Sequence, residues 1–219
     1  AILVLAFESA DHQIDAWMDR ALELARDFGG EFDSRGQIEK ASDGTANAWR
    51  KAFLRMPYWR DPAVGSGLIM DTFETAVTWD RFPAFYDSVR QGVIDLAKRT
   101  TGREAFVSCR LTHVYPDGPA PYFTFALPGG GPGDVESAYS AWREIKRGIN
   151  ELIIANGGTS THHHAVGRDH RSAYEAEVPP LYRELLRAAK KVADPSDILN
   201  PGVLINPLGN ASGLSGVLA

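Results

Sequence analysis

The turn Pro116-Asp117-Gly118-Pro119, set between Ala105–Tyr115 and Pro121–Leu127, does most to narrow the folds open to this chain. Proline fixes φ and an Asp-Gly pair supplies a positive φ, so the flanking segments read as the two strands of an antiparallel hairpin. The second strand alternates, with Phe123, Phe125 and Leu127 on one face and Tyr122, Thr124 and Ala126 on the other. Its apolar face needs a covering layer, and its polar face leaves Tyr122 free to face a cleft. By the same parity Arg110 and His113, on the first strand, point to opposite faces.

The covering layer is also legible. Ile14, Trp17, Met18, Ala21, Leu22, Ala25 and Phe28 recur at helical spacing, with Ser9 or Asp11 as cap and Gly29-Gly30 as stop. A second stripe is Phe82, Phe85, Tyr86, Val89, Val93, Leu96 and Ala97, capped by Thr78 or Asp80, and a third runs from Asp134 through Trp142, Ile145 and Ile149 to Asn156-Gly157. Ala46–Trp59 also reads as helix, Glu31–Gly44 as loop, and residues 1–7 and Leu68–Ala76 as strands. Pro179-Pro180 opens a last helix that Asp194-Pro195 closes. Helices alternating with strands around a central hairpin give an α+β fold, an antiparallel sheet covered by helices. Gly129–Gly133 lies between a strand and a helix without the spacing of a nucleotide-binding loop, so a plain connection leads and a phosphate cradle is the other reading. The opening Ala1-Ile2-Leu3-Val4-Leu5-Ala6-Phe7 looks like a strand entered in mid-protein, which suggests a fragment whose N-terminal partner lies elsewhere.

A formal charge of -5 and a pI near 5.7 give no basic field for nucleic acid. A lone cysteine, Cys109, excludes an internal disulfide, fits a reducing compartment such as the cytoplasm, and reads as a small buried apolar residue. No apolar run approaches the ~20 residues of a membrane span, so any membrane association would come through the missing part.

Four of the six histidines fall within Gly157–His170, three of them consecutive at His162-His163-His164. Imidazole titrates at roughly 6.5, so such a cluster points to proton handling, anion binding or metal binding. Metal is the weakest of these: in extended chain His162 and His164 share one side while His163 faces the other, which a single ion cannot use. A tag remnant or a polar loop is the bland alternative, but the run lies between two well-patterned segments. Tyr122 reads as a candidate acid or base beside an edge-tyrosine reading, and Arg110 as site residue or surface. Arg60, among aromatics at a helix end, suits bidentate anion binding or a simple pair with Asp61.

Several segments together resemble the alkyldihydroxyacetonephosphate synthases and their bacterial relatives, within the FAD-linked oxidases of the vanillyl-alcohol oxidase type. They are Asp71-Thr72-Phe73-Glu74-Thr75 with Trp79-Asp80-Arg81, Ser108–His113, Tyr122-Phe123-Thr124-Phe125, Ala155–Gly167 with the histidine triplet, and Asp194-Pro195 through Asn200-Pro201-Gly202. The resemblance implies a ferredoxin-like cap or substrate domain over residues 1–175 and a return segment over 176–219 directed toward an absent FAD-binding domain. It implies FAD as cofactor, and an exchange of the acyl chain of acyl-dihydroxyacetone phosphate for a fatty alcohol in ether-lipid synthesis. Its catalytic residues map onto Tyr122, His162, His163 and His164, its substrate contacts onto Arg60 and Arg110, and its cofactor contacts onto His163 and Asn200. Partners so implied are a lipid substrate and the N-terminal FAD-binding domain of the same protein, with a homodimer left open. The isolated piece should be colourless and inactive. Ala165 replaces the family's glycine and Asp169-His170 a basic pair, so an FAD-linked oxidase or dehydrogenase of a small 2-hydroxy acid or alcohol is the alternative, with a non-catalytic ligand-binding domain as a third reading.

Overall fold

The computed structural model describes residues 2–3, 5–32, 51–52, 54–131 and 133–206. They form two compact units, Ala1–Leu54 and Arg55–Ala219.

In the first unit, α1 spans Asp15–Asp27. Its stripe is half-buried at Ile14, Met18, Ala21, Leu22 and Ala25, while Trp17 meets Phe7 and His12 edge-on at 5.9 and 4.8 Å. Neither Ser9 nor Asp11 caps it: both bind the His12 ring instead, and the N-cap position is Ile14. The opening run is no strand over its described residues 2, 3 and 5–7, and Ile2 and Leu3 are exposed. An apolar run becomes a strand only where a neighbouring edge takes its N–H and C=O groups, and no described edge does so. Of the two segments that follow, 33–50 lie outside the described residues.

The second unit begins in helix at Arg55, tightens into a 3₁₀ turn at Met56–Trp59, and turns back to helix as α2, Arg60–Gly65. Arg60 therefore opens a helix rather than ending one, and Pro62 sits in the first turn, where its missing N–H costs little. The sheet consists of β1 (Leu68–Glu74), β2 (Phe106–Val114) and β3 (Pro119–Pro128), antiparallel in the order β1-β3-β2. Its covered face carries Ile69, Phe73, Val107, Phe123, Phe125 and Leu127, all buried. Against it lie α3 (Phe82–Thr101), through Phe85, Val89, Val93 and Ala97, and α4 (Val135–Ala155), through Ile145, Ile149 and Ile153. Each such side chain contributes roughly 1.5–3 kcal/mol by leaving water. The two helices seat each other reciprocally: a Cβ on Gly92 would overlap Leu152, and one on Gly148 would overlap Leu96.

The hairpin forms where the sequence puts it, but the turn works differently. Gly118 is absent from the positive-φ positions; a Cβ there would overlap the Val77 carbonyl, so glycine is required by close backbone approach. α3 starts without a side-chain cap, Thr78 using its carbonyl to accept from the N–H groups of Arg81 and Phe82 at 3.1 and 3.0 Å. α4 is capped by Asp134, whose carboxylate accepts from Ser137 N–H. A short helix, α5 (Arg171–Glu177), carries no apolar stripe and was not legible in the sequence; α6 (Pro180–Ala193) follows as read. Asp194 then pairs with Lys190 and accepts from the N–H groups of Ile198 and Leu199. The return segment is tied down by Arg168 and Arg171, which donate to the carbonyls of Pro201 and Gly202, and by Leu204 N–H to Gly167 C=O.

Candidate functional site

Strand order leaves β1 at an edge, and the residues that follow α4 occupy it. Gly157, at φ 74°, ends the helix as its sequence predicts. Thr159 N–H then donates to Ala76 C=O (3.1 Å) and His162 N–H to Glu74 C=O (3.0 Å), while the Thr75 and Thr159 hydroxyls bond across the pair. The histidine stretch is thus laid alongside the end of β1 as a strand would be, which covers part of an edge otherwise open to other chains.

At His163 the chain departs from extended form. Its φ is 59°, and His164 N–H closes back on His162 C=O at 2.6 Å, a γ-turn. A non-glycine residue in this region costs about 1 kcal/mol or more. The turn abolishes the expected alternation: His162 and His163 stack at 4.8 Å and 15° instead of facing apart, and His164 meets Tyr122 edge-on at 5.4 Å.

A second irregularity brings His113 to the same place. The β2 register shifts between Leu111 and His113, so Arg110 pairs with Tyr122 and His113 with Ala120, two residues of one face. The expectation that Arg110 and His113 lie on opposite faces is corrected by this bulge, whose extra residue resets parity. The His113 ring stands 4.1 Å from His163 and 5.1 Å from His162.

Glu74 lies among these rings at 2 % exposure. Its Oε1 accepts from Thr112 Oγ1 (3.1 Å) and lies 3.2 Å from His113 Nδ1. His162 Nδ1 is 3.4 Å from the same oxygen, near enough for charge attraction, but makes no hydrogen bond there; its Nε2 faces the Tyr115 hydroxyl at 3.2 Å. Glu74 and Tyr115 escaped sequence reasoning. The usable signal for Glu74 was register: it stands directly across from Tyr122, which stands across from Arg110.

Tyr122 is half-buried, donates its hydroxyl to Thr72 Oγ1 at 3.1 Å, and carries the Arg110 guanidinium over its ring at 4.1 Å. Burial, more than the opposing pull of Glu74, holds His164 below the ordinary imidazole range, so it is neutral at pH 7 and able to take a proton. Beneath this row, Asp71 on the covered face meets Lys146 Nζ at 3.0 Å and Trp142 Nε1 at 2.8 Å, and Lys146 also donates to Thr72 C=O. Burial alone would raise the Asp71 pKa; the Lys146 charge and the hydrogen bonds together outweigh it and lower it.

The structure therefore gathers Tyr122, Arg110, His162, His163 and His164. Arg60 opens α2, and its side chain lies outside the description. Asn200 lies in the return segment at φ 50°, exposed, accepting from Val203 N–H, with no described contact to the imidazoles. Cys109 packs against the core, its thiol pushed up to about 12 by burial, which makes it inert as a nucleophile. An apolar groove of about 430 Å³, lined by Leu186, Ala189, Leu199, Val203 and Ile205, shares no residue with the imidazole site. No helix among the described residues is long and apolar enough to cross a membrane.

A phenol, a neutral imidazole and a guanidinium on one sheet face, with three further imidazoles around a buried carboxyl group, are groups that move protons and hold anions. The class follows from comparison with known families: residues 1–204 match the C-terminal domain of FAD linked oxidases, and the chain belongs to that family, whose cofactor is FAD. Within it, the chain is similar to alkyldihydroxyacetonephosphate synthase. The Trypanosoma brucei brucei enzyme is 29% identical over 166 residues, 73% of this chain and 25% of the relative. That of Caenorhabditis elegans is 27% identical over 205 residues, 93% of this chain and 32% of the relative. A solved alkyldihydroxyacetonephosphate synthase superposes with a TM-score of 0.54 at 18% identity, over 86% of this chain and 28% of that one, which establishes the shared α+β fold. The chain thus spans a quarter to a third of the length of these curated relatives.

Proposed function

We propose that this chain is the substrate-binding part of an FAD-dependent enzyme that exchanges the acyl chain of acyl-dihydroxyacetone phosphate for a fatty alcohol. Residues 1–175 form the cap in this reading, and 176–219 return toward an FAD-binding domain of the same protein. The observation that carries it is the meeting of the Tyr122 phenol with His164 of the histidine triplet on the half-buried sheet face opposite α3 and α4. The names of the relatives, alkyldihydroxyacetonephosphate synthase, give the product class that this reading adopts.

The residues present suit one wall of a flavin site. Tyr122, His164 and Arg110 offer a hydroxyl, a neutral imidazole and a cation along a half-exposed face, whereas Gly129–Gly133 is engaged locally, with Gly129 N–H donating to Gly67 C=O. FAD, when bound, would supply the electron-accepting ring on which an exchange without net oxidation depends. This chain's own part is proton transfer and charge. In this reading Tyr122 and His164 move the proton at the carbon beside the substrate ketone, the phenol giving up its bond to Thr72 Oγ1 as it does so. Arg110 holds positive charge over that phenol and suits the phosphate; Arg60 takes the departing carboxylate. His163, on its γ-turn, and Asn200 face the cofactor.

The test is made on the full-length enzyme. Tyr122→Phe and His163→Ala should each abolish release of fatty acid while flavin stays bound. Normal turnover in both removes the site assignment. Bleaching of the flavin by a 2-hydroxy acid, without alkyl exchange, would replace this reading with an oxidative one.

A further inference from the structure

We propose that Tyr115 is a positioning residue: its hydroxyl, set on His162, holds the left-handed turn at His163 and with it the aim of His164 at Tyr122, while His162 is the pivot of that turn and meets no substrate. The consequence for turnover rests on the exchange reaction proposed above; the hold on the turn does not.

Neither ring nitrogen of His162 is open to a ligand. Its Nε2 is 3.2 Å from the Tyr115 hydroxyl, and its Nδ1 is buried, without a hydrogen bond, 3.4 Å from the Glu74 carboxyl group. The side chain is 19% exposed, and His163 stacks on the ring. An imidazole works as acid or base through a ring nitrogen within hydrogen-bond reach of the reacting group, and this one offers none. The backbone of the same residue carries the turn. Its N–H donates to Glu74 C=O at 3.0 Å and its C=O accepts from His164 N–H at 2.6 Å. A shift of His162 is therefore a shift of His164, the imidazole that faces Tyr122.

Tyr115 reaches His162 from another part of the fold. It follows β2 at the hairpin tip, where its N–H donates to Gly118 C=O and its C=O accepts from Trp79 Nε1, each at 3.0 Å. Trp79 N–H in turn donates to Asp117 C=O at 3.1 Å, so the tip is clamped to the segment that leads into α3. The phenol ring lies parallel to His113, and its hydroxyl joins the tip to the histidine stretch 47 residues further on. A tyrosine 44% exposed adds little to the core; what its hydroxyl adds is this tie. The φ of 59° at His163 persists only where the surroundings over-determine it, and one hydrogen bond is worth, net, about as much as such a turn costs.

The experiment compares the full-length, FAD-bound enzyme with Tyr115→Phe, which keeps the ring and removes the hydroxyl. Amide hydrogen–deuterium exchange, read by mass spectrometry, should be roughly 3–10-fold faster at His162 and His164, the worth of one hydrogen bond, and unchanged at Phe123 and Phe125 of β3. In the acyl-for-alcohol assay kcat should fall by about the same factor with KM within about threefold. In a His162→Ala background Tyr115→Phe should add nothing, because it acts through that ring. His162→Gln, whose amide can keep a bond to the phenol but cannot pass a proton, should hold kcat within about tenfold of native, whereas His164→Gln should abolish turnover. Unchanged amide exchange at His162 and His164, additive losses in the double variant, or a His162→Gln enzyme as inactive as His164→Gln each overturns the proposal. Were Tyr115→Phe to misfold, the two glutamine variants would decide. An enzyme that transfers no alkyl chain would strike the reaction proposed above and leave the amide rates to decide on Tyr115.

Discussion

Replacing Lys146 by methionine tests how the sheet face is held in place. Lys146 and Asp71 have side chains only 7% and 13% exposed and lie 3.0 Å apart. Removing one member of a buried pair typically costs about 3–5 kcal/mol, because the other charge stays behind unpaired. Asp71 would keep two donors, Trp142 Nε1 and its neighbour's N–H from Thr72, which places the expected loss near the lower end, about 3 kcal/mol at pH 7. The sign of the pH dependence follows from the direction of the shift. In the native chain the Asp71 pKa is lowered, so the pair's stability is present above the unfolded value of 3.8 and is lost as pH falls through the still lower folded value. In Lys146→Met the principal lowering influence is gone and burial remains, so the carboxyl protonates earlier and the penalty is relieved on acidification. Urea unfolding followed by tryptophan fluorescence, with Trp142 beside the pair, should show a gap between variant and native chain that narrows from pH 7 toward pH 4. Asp71→Asn combined with Lys146→Met should recover most of the loss. A single variant within about 1 kcal/mol of native at pH 7, or a gap indifferent to pH, would refute the argument that this ion pair secures β1.

Buried His170, bonded to Asn150 at 3.1 Å, has its pKa lowered to about 4, chiefly by burial. The unfolded chain binds the proton more readily, so this residue contributes stability above roughly pH 6.5 that is lost as pH falls toward 4; about 2 kcal/mol of the stability difference between pH 7 and pH 5 should disappear in His170→Gln, as measured by unfolding at those two pH values. Gly118→Ala should cost about 1–3 kcal/mol in thermal or urea unfolding, because the new methyl overlaps the Val77 carbonyl; a neutral result would show that the turn can shift. The Cys109 thiol should react with a disulfide reagent many times more slowly in the native chain than after unfolding, and equal rates would contradict its burial.

The sequence by itself determined what repeats at short range. The alternation Phe123, Phe125, Leu127 fixed which face of β3 is covered, and the stripes from Phe82 and Val135 fixed the helices that cover it, because side-chain periodicity follows from local backbone geometry. It also singled out Tyr122 and the histidine triplet. Tertiary structure decided how those groups are aimed. The bulge after Leu111 and the left-handed turn at His163 are single-residue departures from the local period, and each reverses a prediction made from parity. Glu74 acquired its importance only through a side-chain contact with His113, 39 residues away on the far side of β3, a separation no local pattern encodes. The opening apolar run is no strand over its described residues for the same reason: hydrophobicity is local, but a strand exists only when another chain segment accepts its hydrogen bonds.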